Sequence, residues 1–184
     1  MPTLWMENYK MQESVHENKM REISIEKITL NCGTAGPGDK LEKSLKLLQK
    51  ISGMKPVSTK TEKRIPSWGV RPGLELGCMV TLRSKKAETV LTAFLKGKKN
   101  EIKSSCFDNN GNFAFGIHEY LDVPGIEYDP SIGIIGFEVA VTLQRKGFRI
   151  RRRKTKKRPI PAKHKITKED AINFIKKKYG VKVL

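Results

Sequence analysis

The stretch Glu26-Lys-Ile-Thr-Leu-Asn-Cys-Gly-Thr-Ala-Gly-Pro-Gly-Asp-Lys-Leu-Glu-Lys-Ser-Leu-Lys-Leu-Leu-Gln-Lys50 changes periodicity halfway. Its first part alternates, with Ile28, Leu30 and Cys32 on one side and Lys27, Thr29 and Asn31 on the other, as in a strand with one buried face. After a glycine-rich turn, Leu41, Leu45 and Leu48 recur at helical spacing, with Leu47 and Ile51 beside them. A helix of that pattern covers the apolar face of the strand. The opposite face then carries a lysine, a hydroxyl and an amide, groups that hydrogen-bond phosphate, ribose or base edges. Asp39 followed by Glu42 has the form of a helix-capping pair, and Gly53 supplies the stop. The turn Gly33 to Lys40 joins a strand to a helix as a phosphate loop does. It lacks the Gly-Lys-Ser/Thr ending, because Asp39 stands between Gly38 and Lys40. It reads as a tight turn whose helix N-terminus can still meet an RNA phosphate.

A second unit repeats the pattern. In Leu74 to Arg83, the residues Leu76, Cys78, Val80 and Leu82 face the core, and Gly77, Met79, Thr81 and Arg83 face away. A helix over Lys85–Gly97 turns Ala87, Val90, Leu91, Phe94 and Leu95 inward and ends at Gly97. Between the units, Lys55 to Thr61 reads as a short basic strand, held to a sheet edge by Pro56. Glu62 to Gly73 is a long loop with Lys63, Arg64 and Arg71 around Trp68. That tryptophan either stacks on RNA or pins the loop to the core.

Downstream, Lys98 to Phe107 is basic and irregular, Asp108 to Gly111 is a turn, and Phe113 to His118 is a short strand. Leu121 to Tyr128 reads as irregular, and Ile132 to Gln144 is the strongest strand. A last helix starts at Thr167, with Glu169 and Asp170 in its first turn and Lys176, Lys177 and Lys178 in its last, an order that suits the helix dipole. Gly180 stops it. The expected fold class is α+β, a mainly antiparallel sheet with helices on one face, an open RNA-facing side and a basic C-terminal extension. Three segments are expected: an N-terminal extension over 1–17, an α+β RNA-binding domain over 18–144, and a basic segment with a C-terminal helix over 145–184. Residues 1–17, with Trp5, Met6 and Tyr9 among charges, read as a short docking helix or a loose tail.

Charge narrows the function. The chain has 37 Lys+Arg against 19 Asp+Glu, a formal net charge of +18. A monomer so charged repels itself, and a polyanion relieves it. Nucleic acid fits first, an anionic membrane surface far behind. Cys32, Cys78 and Cys106 are odd in number and widely spaced, which argues against a disulfide framework or a thiolate metal site and for a reducing, cytoplasmic setting. No apolar run reaches the roughly 18 residues of a membrane span, and no secretory signal is evident. His16, His118 and His164 are not spaced as metal ligands or a catalytic pair. The expectation is no enzyme, no catalytic residue, no metal, no cofactor and no small-molecule substrate.

Two basic or polar sets remain. Arg145 to Arg158 holds ten Lys or Arg in fourteen residues without an acid. Within it Arg145, Arg149, Arg151, Arg152, Arg153 and Lys154 are candidate RNA contacts, because arginine forks match phosphate geometry. The other set is the polar sheet face, where Asn31, Thr81 and Arg83 converge if their strands pair, with Lys27, Thr29 and Lys55 nearby. An ordinary wet sheet face is the competing reading.

Several motifs carry a resemblance: Ile25-Glu-Lys-Ile-Thr-Leu-Asn-Cys-Gly33, Gly53-Met-Lys-Pro-Val57, Met79-Val-Thr-Leu-Arg83, Gly111-Asn-Phe-Ala-Phe-Gly-Ile-His-Glu119 and Tyr128-Asp-Pro-Ser-Ile-Gly-Ile-Ile-Gly-Phe137. In this order, over roughly residues 18–184, they resemble the family of the universal fifth protein of the large ribosomal subunit, which binds 5S ribosomal RNA. Ala162-Lys-His-Lys-Ile-Thr-Lys-Glu-Asp-Ala171 resembles the archaeal and eukaryotic branch, with the archaeal form preferred. The resemblance implies a structural role in the central protuberance of a cytoplasmic ribosome. The implied partners are 5S rRNA, large-subunit rRNA, peptidyl-site tRNA and neighbouring ribosomal proteins. It implies that Asn31, Thr81 and Arg83 meet 5S RNA, and that the loop with Lys63, Arg64, Trp68 and Arg71 reaches tRNA. Met54 stands where the family usually has glutamine, so that amide contact is missing here. The competing function is an RNA-binding assembly or regulatory protein outside the ribosome.

Overall fold

In the computed structural model, residues 18–34, 36 and 38–184 are described. The expectation for residues 1–17 lies outside them. Strand β1 (Ile23–Gly33) leads into helix α1 (Asp39–Ser52), then the short β2 (Val57–Lys60). β3 (Glu75–Leu82) leads into α2 (Ser84–Gly97), followed by the two-residue β4 (Glu101–Ile102), β5 (Phe113–Ile117) and β6 (Phe137–Arg145). A one-turn helix α3 (Arg149–Arg152), helix α4 (Lys168–Tyr179) and β7 (Lys182–Val183) complete the chain. Five strands form one sheet in the order β2-β3-β1-β6-β5, every neighbouring pair antiparallel.

The alternation read from sequence sorts the two faces. Ile28, Leu30 and Cys32 on β1, Cys78, Val80 and Leu82 on β3, and Val139, Val141 and Leu143 on β6 are buried, and α1 and α2 close over them with Leu41, Leu47, Leu48, Leu91, Phe94 and Leu95. At roughly 1.5–3 kcal/mol for each large apolar side chain removed from water, this face is the main source of stability. Cys32 lies directly opposite Cys78 within it. The hydrogen bond to Cys32 and burial raise the Cys78 thiol above its ordinary value.

Several details differ from expectation. Asp39 does not cap α1. Gly38 is the N-cap, with φ 127, and no side chain bonds the helix start, so Asp39 acts only through its charge in the first turn. Gly97 does not end α2 by a left-handed turn. The helix runs through it to a cap at Lys98, and the positive φ values fall on Lys99 and Asn100. Gly97 serves close packing instead, since a Cβ there would lie 2.9 Å from the Asp122 carbonyl oxygen. The strand expected from Ile132 begins only at Phe137. Lys98 to Phe107 is not wholly irregular, because β4 pairs in parallel with β7. Finally, Arg145 is the last residue of β6, and beyond it Ile166, Ala171, Ile175 and Val181 join the same core as the sheet.

Candidate nucleic-acid interface

The long helices α1 and α2 pack on one side of the sheet, and among the described residues the other side presents exposed and half-buried polar side chains, with Arg152 of α3 reaching it at Gln144. The rows of that side follow from the strand register. One row runs Val57, Met79, Asn31, Glu138, Gly116, and the next runs Thr81, Thr29, Ala140, Ala114. Asn31 therefore faces Met79 directly, with Thr81 its diagonal neighbour and Thr29 opposite Thr81. Lys27 pairs with Thr142 in the row beyond. A bulge at Glu26 lies between Ile25 and Lys27. Arg83 follows β3 with extended backbone, exposed, and Ser84 then turns at φ 60 so that the helix leaves toward the covered face. The pairing thus brings Lys27, Thr29, Asn31, Thr81 and Arg83 to one side. Lys55 lies exposed on the lead-in to edge strand β2.

Two features of this face were missed at the sequence level. Glu138 accepts a hydrogen bond from the Asn31 amide nitrogen at 3.4 Å, which orients the amide and leaves its oxygen as a free acceptor among the described residues. An acid here also disfavours a phosphate at that spot and favours a base-edge donor. Val57 and Met79 form an exposed apolar shelf beside Asn31, suited to a ribose or base plane rather than to a charge. Alternation had already put Met79 outward. Only the register could bring it, with Glu138, beside Asn31.

The long loop holds Trp68 clear of the core at 77% exposure, which settles its placement against pinning. An Ile65–Val70 bridge and a 3-10 turn over Pro66–Trp68 present it, and Lys63, Arg64 and Arg71 are all exposed around it.

The basic segment divides into two classes of cation. Arg145 is a correction: it is buried, and its guanidinium donates to Asp170 at 2.9 Å and to the Lys165 carbonyl at 3.1 Å. It ties β6 to the start of α4 and has no surface to offer RNA. Arg152 is half committed, one arm of its fork on Glu26 and the other on Gln144 at 2.9 Å, which moors α3 to the sheet. Arg149, Arg151, Arg153 and Lys154 are exposed and have no carboxylate partner among the described residues. Arginines without an acid partner retain their full attraction for phosphate.

Among the described residues no cluster of His, Cys, Asp or Glu could hold a metal ion, and no helix is long and apolar enough to cross a membrane. His118 is exposed.

Comparison with known proteins agrees along nearly the whole described chain. Residues 18–71 match the family model for ribosomal protein L5, and residues 75–177 match the separate model for the C-terminus of the same ribosomal family. The large ribosomal subunit protein uL5 of Sulfolobus acidocaldarius is 45% identical over 174 residues, 95% of this chain and 98% of the relative. The uL5 of Nanoarchaeum equitans is 43% identical, covering 91% of this chain and 99% of its own. That of Nitrosopumilus maritimus is 41% identical, covering 91% and 96%.

Proposed function

Because the chain belongs to the L5 family of large-subunit ribosomal proteins, in its archaeal form, we propose that it anchors 5S rRNA to the large subunit through its open sheet face. Its role in the ribosome is structural and non-enzymatic. The observation that carries the finer reading is the open face itself. A five-stranded sheet whose second side has a lysine, two threonines, an amide and an arginine, and only the one-turn α3 moored at its end among the described residues, is built to be covered by a polar partner. The exposed arginines after β6 contact phosphates of large-subunit rRNA, and the Trp68 loop reaches peptidyl-site tRNA, where an exposed indole among cations stacks on an unpaired base.

Equilibrium binding to 5S rRNA tests this. A charge-assisted hydrogen bond is worth about 1.5–3 kcal/mol, so Arg83→Ala should weaken binding by roughly ten- to a hundredfold. Lys177→Ala, an exposed cation on α4, should cost far less. Equal losses from the two substitutions would remove the sheet face as the 5S site.

A further inference from the structure

We propose that the concavity between the basic segment and the body takes one unstacked nucleotide of single-stranded RNA. This rests on the reading of the chain as an rRNA binder and names a site distinct from the sheet face. The cavity has a volume of about 450 Å³, within the range of roughly 300–1,000 Å³ typical of small-molecule sites. Its floor is apolar, made by Phe148, Ile160 and Ile166. Its rim carries Arg151, Lys157, Arg158 and Lys165, none with a carboxylate partner among the described residues. Asn110 closes one wall.

The fold builds this hollow from several fixed points. The Arg158 amide donates to the Ile150 carbonyl at 3.3 Å and bends the basic segment back on itself. Arg145 holds the His164–Lys165 backbone from below. His164, whose Nε2 lies 2.9 Å from the Lys146 carbonyl, meets Phe148 edge-on at 5.7 Å and steadies the ring. The turn carrying Asn110 sits tightly on Ile166: Gly111 has φ 77, and a Cβ on it would collide with Ile166 Cγ2. Asn110 donates through Nδ2 to Asp108 at 3.2 Å, which leaves its carbonyl oxygen free to accept from a base.

Charge and shape choose the occupant. A purely apolar ligand would leave the four cations unused, and a duplex backbone cannot reach a concave apolar floor. A nucleotide turned out of its stack satisfies both, with its base on the floor and its phosphate at the rim. No bond is made or broken.

The test measures binding of the full-length protein to a short mixed-sequence single-stranded RNA, to an abasic strand of the same length, and to an RNA duplex. The normal strand should bind tighter than the abasic one. Phe148→Leu should reduce that affinity about tenfold and leave the duplex unaffected, as expected when one base no longer stacks on an aromatic ring. Asn110→Ala, at an exposed turn and without risk to the core, should lower it severalfold. Equal affinity for normal and abasic strands, or unchanged affinity in both variants, would overturn the site. Binding of adenosine monophosphate without a preference for the normal strand would overturn it too. Each protein's 5S rRNA affinity is measured in parallel. Absence of a preference for the normal strand in the unsubstituted protein, with its 5S binding intact, rejects the pocket alone, and absence of 5S binding in the unsubstituted protein rejects the underlying function.

Discussion

Arg145 and Arg149 stand four residues apart in one basic run and do opposite things. Arg145 is the last residue of a core strand, and its alternation with Leu143 and Val141 points it inward, where Asp170 and two carbonyls receive it. Composition alone made it an RNA ligand. The register of β6 makes it a strut. Arg145→Ala should therefore lower unfolding free energy by about 2–3 kcal/mol, since charge-assisted hydrogen bonds disappear and Asp170 loses its partner. Chemical denaturation measures this. The salt dependence of RNA binding by the folded variant should be unchanged. The Tyr-Asp-Pro-Ser motif has a comparable internal use. Asp129 accepts from the Ser131 hydroxyl at 2.7 Å and amide at 3.0 Å, and its own amide donates to the buried Tyr120 hydroxyl. Those hydrogen bonds from Ser131, followed by Lys50 nearby, hold the Asp129 carboxyl below the usual range.

At the level of elements, the two strand-turn-helix units and the last helix were legible because each has a long, clean period, and Gly53 and Gly180 also mark the ends of α1 and α4. Thr167 illustrates this. Its hydroxyl accepts from the Asp170 amide, and the Asp170 carboxylate accepts in return from the Thr167 amide, a capping box at the start of α4. Thr167→Ala should cost about 1 kcal/mol by thermal or chemical unfolding. The β4–β7 pair was not legible, because two residues carry no period and a parallel partner far along the chain leaves no local trace. The α1 cap failed for a related reason. Glu42 lies the right distance from Asp39, but the cap falls one residue earlier, at Gly38, and that shifts the acid from cap to first turn. Within the candidate site, outward-facing residues could be read from alternation, but their neighbours could not. Pairing of Asn31 with Met79, and its bond to Glu138, depend on strand order.

Over the whole molecule, a net charge of +18 is divided between mooring and recognition. Lys50, Lys60, Arg145, Lys146, Arg152 and Lys178 pair internally. Arg149, Arg153 and Lys154 do not, among the described residues. Replacing these three with glutamine should flatten the plot of log affinity against log salt for rRNA by about 0.7–0.9 for each phosphate no longer neutralised, with stability unchanged. An unchanged slope would place the segment away from RNA. The sheet thus has one apolar face closed by its own helices and, among the described residues, one exposed polar face.

Lysine acetylation of the protein, free and bound to 5S rRNA, reads out that second face most directly. Lys27 lies on the open side, and Lys43 and Lys86 lie exposed on the helices that cover the other. Binding should protect Lys27 and leave Lys43 and Lys86 as reactive as in the free protein. Protection of Lys43 and Lys86 with Lys27 still reactive would show that the RNA sits on the helical side, and would contradict the account.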